Sequence, residues 1–231
     1  AEAPRTRREP PREVIALAER CGAQRTGIAS TQVCLRQTGT MRADAAHPWA
    51  RFRARQTIML DRPGFTWRAR TGPLGLVSVT DALGEAGPRL TVTALGAFPL
   101  VRVAADDALT KGELMRYLAE LPLAPDAILD NASLDWEVLG ANTFRVAATH
   151  RGVRACVDLT LGSDGFVASA FAPDRPRLEG ARTVERPWRC QLGEYRAHGG
   201  RQLPFAAEVA WTIDGAVTTV LRVRLEDWRL T

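Results

Sequence analysis

Lysine is almost missing from this sequence. Lys111 is the single lysine among 31 basic residues, so arginine carries the net charge of +5. Nucleic-acid-binding domains usually cluster both cations on one face, and no nucleic acid is expected as a partner. GC-rich coding accounts for the bias. The other reading is a face for phosphate or anionic lipid, because guanidinium forks onto phosphate. Zinc-type pairs are absent as well: Cys21, Cys34, Cys156 and Cys190 contain no CxxC spacing, so no metal is expected. No run of about 18 apolar residues predicts a membrane-spanning helix, and no secretory signal is present. The compartment is left as cytoplasmic or membrane-associated. GxSxG, HExxH, a Walker loop and a GxGxxG behind a strand are all missing. The three histidines, His47, His150 and His198, fall in turn-like stretches without a neighbour to orient them as bases. Catalytic residues and cofactors are therefore both read as none.

What remains is alternation. At 45% hydrophobic residues the chain can bury a substantial core. Period-two patterns run through 33–36, 51–58, 65–70, 76–83, 90–95 and 100–104, then 136–139, 143–149, Val153–Leu161, 166–171, 183–195, 205–213 and 216–228. In the second of these, Phe52, Ala54 and Ile58 alternate with Arg51, Arg53, Arg55 and Thr57, a half-buried strand with its arginines outward. Asp164-Gly165 and Asp214-Gly215 are hairpin signals. Residues 173–180 read as a polar loop.

Two helices interrupt the pattern. Residues 14–21 form a short N-terminal one. The central one covers 110–121 within a stretch reaching residue 129. Thr110 and Glu113 have capping-box spacing, with Leu109 and Leu114 as a hydrophobic staple. Leu114, Tyr117, Leu118 and Leu121 share one face. Pro122 should stop the helix, and Pro125 should restart a short turn. Arg116 lies within reach of Glu113 and Glu120. This is either a surface ion-pair ladder or a buried arginine held by carboxylates.

A parallel sheet needs a crossover for each strand pair, and one central helix cannot supply them. The expected fold is therefore α+β and mostly β. It is one large curved antiparallel sheet, a half-barrel-like meander, with a short N-terminal helix and a central helix packed on its concave face. Residues 1–12, rich in proline and arginine, read as a disordered basic lead-in, and 13–231 as a single domain. Strand phase puts Cys156 off the apolar face of its strand and Cys190 on the apolar face of its own. That disfavours a bridge between them and leaves four free thiols.

Several ordered pieces resemble a bacterial family of unknown function. They are Leu35-Arg36-Gln37-Thr38-Gly39-Thr40-Met41-Arg42, Trp49 to Gln56, Pro63 to Arg70, and Leu114-Met115-Arg116-Tyr117-Leu118-Ala119-Glu120. Pro125, Leu129, Trp136, Trp188, Tyr195, Leu203-Pro204 and Val209-Ala210-Trp211 follow in order. The resemblance implies a fold similar to the lipoprotein-carrier (LolA-like) half-barrel. Members often carry an N-terminal membrane segment that this sequence does not show. The chain departs from the pattern at Leu121-Pro122-Leu123, where related chains have aromatic residues.

Sheet plus central helix often encloses an apolar cleft. The expected function is a non-enzymatic binding domain for a lipid or other hydrophobic small molecule, with peripheral membrane contact. Phe65, Trp67, Arg116, Tyr117, Glu120, Trp136 and Trp211 are the candidate ligand-binding residues. The alternatives are an enzyme with a site at Arg116 and Glu120, or an envelope-associated module using the outward arginines.

Overall fold

The computed structural model describes residues 9–25, 30–95, 98–180 and 182–231. Most of the expected lead-in, residues 1–8, lies outside them. Helix α1 (Arg12–Arg20) already begins at the last residue assigned to that lead-in, with Pro11 as its N-cap. Val14, Leu17 and Ala18 face the core from it.

Thirteen strands among the described residues form one antiparallel sheet. They are β1 (Gln32–Met41), β2 (Ala50–Met59), β3 (Phe65–Thr71), β4 (Val77–Gly84), β5 (Gly87–Ala94), β6 (Phe98–Arg102), β7 (Asp135–Gly140), β8 (Thr143–His150), β9 (Val153–Leu161), β10 (Val167–Glu179), β11 (Arg182–His198), β12 (Arg201–Ile213) and β13 (Ala216–Leu230). The spatial order is β6-β5-β4-β3-β2-β1-β13-β12-β11-β10-β9-β8-β7. Two meanders thus meet where β1 pairs with β13, and the two edges, β6 and β7, are consecutive in sequence. The chain has to cross the whole sheet to get from one to the other. Helix α2 (Asp107–Ala119), a 3-10 turn (Leu121–Leu123) and α3 (Asp126–Asp130) make that crossing. Helix α2 touches β4 and β5 on one arm and β8, β9 and β10 on the other.

The sheet curls into a half-barrel around this crossing. Its curvature brings distant hairpins together: His150 Nε2 donates to Gly84 O at 3.2 Å, and Arg151 Nη1 to Glu85 O at 3.0 Å. Alternation in β2 and β3 places Phe52, Ala54, Ile58, Phe65, Trp67 and Ala69 in the core and their arginines in solvent. A second fixed point lies under α1 and α3. Arg201 Nη2 donates to Asp126 Oδ1 at 2.8 Å, and the Gln24 amide donates to the same oxygen at 2.7 Å. The Asp164-Gly165 turn admits Arg20, whose Nη1 donates to Gly165 O at 3.1 Å. The φ of Gly165 is +77°, a left-handed conformation that favours glycine.

Two expectations need correction. The stretch 173–180 is not a loop, because β10 continues to Glu179. It pairs there with β11 alone, past the last β9 pair at Phe171 and Asp158. Pro173 and Asp174 fall in a bulge, and Pro176 sits where no β9 partner awaits its missing N–H. The capping box is also displaced. Asp106 is the N-cap, its side chain accepting from the Leu109 amide at 2.8 Å. Thr110 is one turn inside and donates its hydroxyl to Asp106 O, while Glu113 is buried. The four cysteines are free, with Cys21 and Cys190 buried.

Candidate functional site

Helix α2 is enclosed by both arms of the sheet, and this decides the fate of its polar residues. Leu114, Tyr117, Leu118 and the following Leu121 have no exposed surface. The side chains of Arg116 and Glu120 are only 14% and 18% exposed, and Glu113 is buried too. The surface-ladder reading is thereby overturned; the trio faces β1–β4.

On that inner face, Asp81 of β4, Trp67 of β3 and Gln56 of β2 are direct cross-strand neighbours. A polar chain runs through them. Trp67 Nε1 donates to Gln37 Oε1 at 2.9 Å, Gln37 Nε2 to Gln56 Oε1 at 3.0 Å, and Gln56 Nε2 to Glu120 Oε2 at 2.5 Å. Arg116 closes it, Nε to Glu120 Oε1 at 2.9 Å and Nη1 to Asp81 Oδ2. Its guanidinium carbon lies 4.9 Å from the Phe65 ring centre and 5.1 Å from that of Trp67, a desolvated cation–π contact. Burial opposes the Arg116 charge, but Glu120, Asp81 and Glu113 outweigh it and raise its pKa.

Glu113 completes the cluster. Burial, and after it the Asp81 charge, push its carboxyl well above the usual carboxylate range. Asp81 Oδ1 and Glu113 Oε2 are buried without a hydrogen-bond partner.

On the other side of α2, β10, β11 and β12 supply a second group. Arg175 lies 4.4 Å from the Trp188 ring centre and 5.6 Å from that of Trp211, and Arg177 lies 5.2 Å from Trp211. Burial lowers the Arg175 pKa. Arg175 Nε and Trp188 Nε1 are buried donors without an acceptor, while Arg177 Nε is ion-paired with Glu179 at 3.7 Å. Beside them runs a half-buried apolar patch. Met41, Leu221 and Val209 are consecutive partners across β1, β13 and β12, with Val223, Ala207 and Trp211 adjoining.

The seven candidate residues therefore separate. Phe65, Trp67, Arg116 and Glu120 come together. Tyr117 is in the core, its hydroxyl donating to Met59 O at 3.1 Å and accepting from Asn131 Nδ2 at 2.9 Å. Trp211 belongs to the arginine–tryptophan group. Trp136 stands apart on edge strand β7, lining with Leu134 and Arg145 a hollow of about 620 Å³. Gln37, Gln56, Arg175, Arg177 and Trp188 complete the two groups and were missed. Their signal was polarity at inward strand phase, clearest for Gln37 and Gln56.

Comparisons with known proteins bear on the fold. A domain from Vibrio parahaemolyticus that carries the name outer membrane lipoprotein-sorting protein aligns over 95% of this chain and 91% of its own, at 10% identity and TM-score 0.50. A DUF1329 family protein from Desulfovibrio piger aligns over 96% and 94%, at 12% identity and TM-score 0.52. Among curated proteins none matches in sequence. The family of unknown function DUF6544 matches residues 11–223. The half-barrel fold is shared with both structures, and on the family match the chain belongs to the DUF6544 family.

Proposed function

We propose that this protein is a non-enzymatic binding domain. Its concave face takes a lipid, an acyl chain or another hydrophobic ligand. The observation that carries the reading is the half-buried apolar patch of Met41, Val209, Leu221 and Val223 beside the central helix. A sheet face fully covered by its own helix would leave such residues buried, as it does Val33 and Leu35 on the same face of β1. Arg175 and Trp188 border the patch with buried donors that no protein acceptor takes. They suit a ligand with an acceptor at one end, such as a carboxylate or an ester carbonyl. The fold is shared with a domain named for lipoprotein sorting, and lipoproteins carry acyl chains.

The buried Arg116 cluster has a structural role in this reading. Arg116 Nε and Nη1 are both taken by the protein's own carboxylates, which gives the enzyme alternative less support. Native mass spectrometry after mild extraction tests the proposal. A co-purifying mass in the lipid range, lost on Leu221→Arg, is expected. Protein that is reproducibly ligand-free and fails to take up an added fatty acid overturns it.

A further inference from the structure

The outer face of β1–β3 carries an arginine ladder that the ligand cleft does not use. Arg55 of β2 stands directly between Arg36 of β1 and Arg68 of β3, and Arg53 stands opposite Arg70. Arg51 adds a further cation on the same face of β2. All six are exposed. Like charges directly opposite on a sheet face are destabilising, and carboxylate partners usually relieve them. On β13 they do: Arg222 meets Glu208 at 3.1 Å, Arg224 meets Glu194 at 2.6 Å, and Arg229 meets Asp227 at 2.9 Å. Arg36 likewise has Asp227 at 3.3 Å. Arg51, Arg53, Arg55, Arg68 and Arg70 have no carboxylate partner among the described residues. They line an open hollow of about 1750 Å³ in which Glu226 is the single acid, and Glu226 already accepts from Thr38. The remaining polar lining is largely threonine and serine hydroxyl.

A second observation adjoins the first. Leu74 is 96% exposed and lines the same hollow. It sits in a 3-10 turn (Pro73–Gly75) directly after β3. Leu76 and Leu95 beside it are exposed as well. The Leu95 amide donates to Leu76 O at 2.8 Å, next to the Val77–Ala94 pair, so Leu76 and Leu95 stand together in the outward phase beside Leu74. A cluster of exposed apolar residues rimmed by charge marks an interaction site. Both features are satisfied at a membrane surface, where phosphates meet the guanidiniums and the tip enters the interfacial layer.

We infer that the outer face of β2 and β3, with the tip formed by Leu74, Leu76 and Leu95, docks the protein on an anionic lipid bilayer. Arginine suits this because its planar fork takes phosphate oxygens in pairs. The surface is separate from the concave patch and stands whether or not that patch holds a ligand.

Vesicle flotation tests it with the full chain. The probes are vesicles of phosphatidylcholine alone and of phosphatidylcholine with one third phosphatidylglycerol. Binding to the anionic vesicles only, weakening with salt, is expected. Replacing Arg53, Arg55 and Arg68 with glutamine should lower the partition on the order of 100-fold, because each basic residue near such a surface changes it about fivefold. These side chains are exposed, so the fold survives, and an unchanged unfolding midpoint verifies this. Leu74→Ser with Leu95→Ser should reduce the binding that remains at high salt. Equal binding to both vesicle types, or none to the anionic ones, overturns the inference. So does displacement of the protein from vesicles by an oligonucleotide that it binds more tightly.

Discussion

Glu120 of the central helix accepts a hydrogen bond from Gln56 of the second strand at 2.5 Å while its other oxygen receives Arg116 at 2.9 Å. This carboxylate is the joint between helix and sheet, and it makes Arg116 the most sensitive residue of the core. Truncation by Arg116→Ala strands Asp81 and Glu120 in a buried setting. The expected loss is about 3–5 kcal/mol, the usual result of breaking a buried pair. Chemical denaturation of both forms measures it; a loss under about 1 kcal/mol would put the network outside the stability of the fold.

Glu113 sets a pH dependence of definite sign. Its folded-state pKa is raised above the ordinary 4.5 by burial and by Asp81, so the folded protein binds a proton more readily than the unfolded chain. The contribution is therefore complete below the unfolded pKa and is lost as pH rises through the raised value. Unfolding midpoints should fall from acid toward alkaline pH across that window. Glu113→Gln keeps a neutral donor and should flatten the slope. An unchanged slope in that variant would assign the dependence elsewhere.

The outer arginines and inner apolar residues of β2 and β3 were legible from alternation alone, and so was the Pro122 break. The continuation of β10 was not. Arg175, Pro176 and Arg177 look like loop residues because strand propensity is judged against a water-facing or greasy environment. Here the arginines lie over tryptophan rings, and the proline occupies an unpaired strand side. The polar chain through Gln37 and Gln56 depends on register between strands, which local pattern does not encode.

Register also explains Gly39. A Cβ there would stand 1.9 Å from the Arg222 carbonyl oxygen and 2.9 Å from the Phe52 ring. Gly39→Ala is expected to cost at least about 2 kcal/mol by overpacking, and thermal unfolding reads this directly. A neutral substitution would mean that β1 and β13 separate easily at this point.

Thiol accessibility offers a check on burial. Burial pushes the Cys190 thiol up to about 12 and the Cys21 thiol up to about 11, so both resist thiolate chemistry. Cys34 and Cys156 are only half-buried. A disulfide reagent should titrate those two quickly in the native protein and the other pair only after denaturation. Four fast thiols would contradict the packing around α1 and β11.

Titration with a fluorescent fatty acid addresses the ligand cleft most directly. Saturable binding is expected for the native chain. Leu221→Arg, in the middle of the apolar patch, should weaken it at least about tenfold, or about 1.4 kcal/mol. Trp136→Leu, at the far edge strand, should leave it unchanged. No saturable binding by the native chain, or equal binding by a folded Leu221→Arg variant, would contradict a ligand site on the concave face.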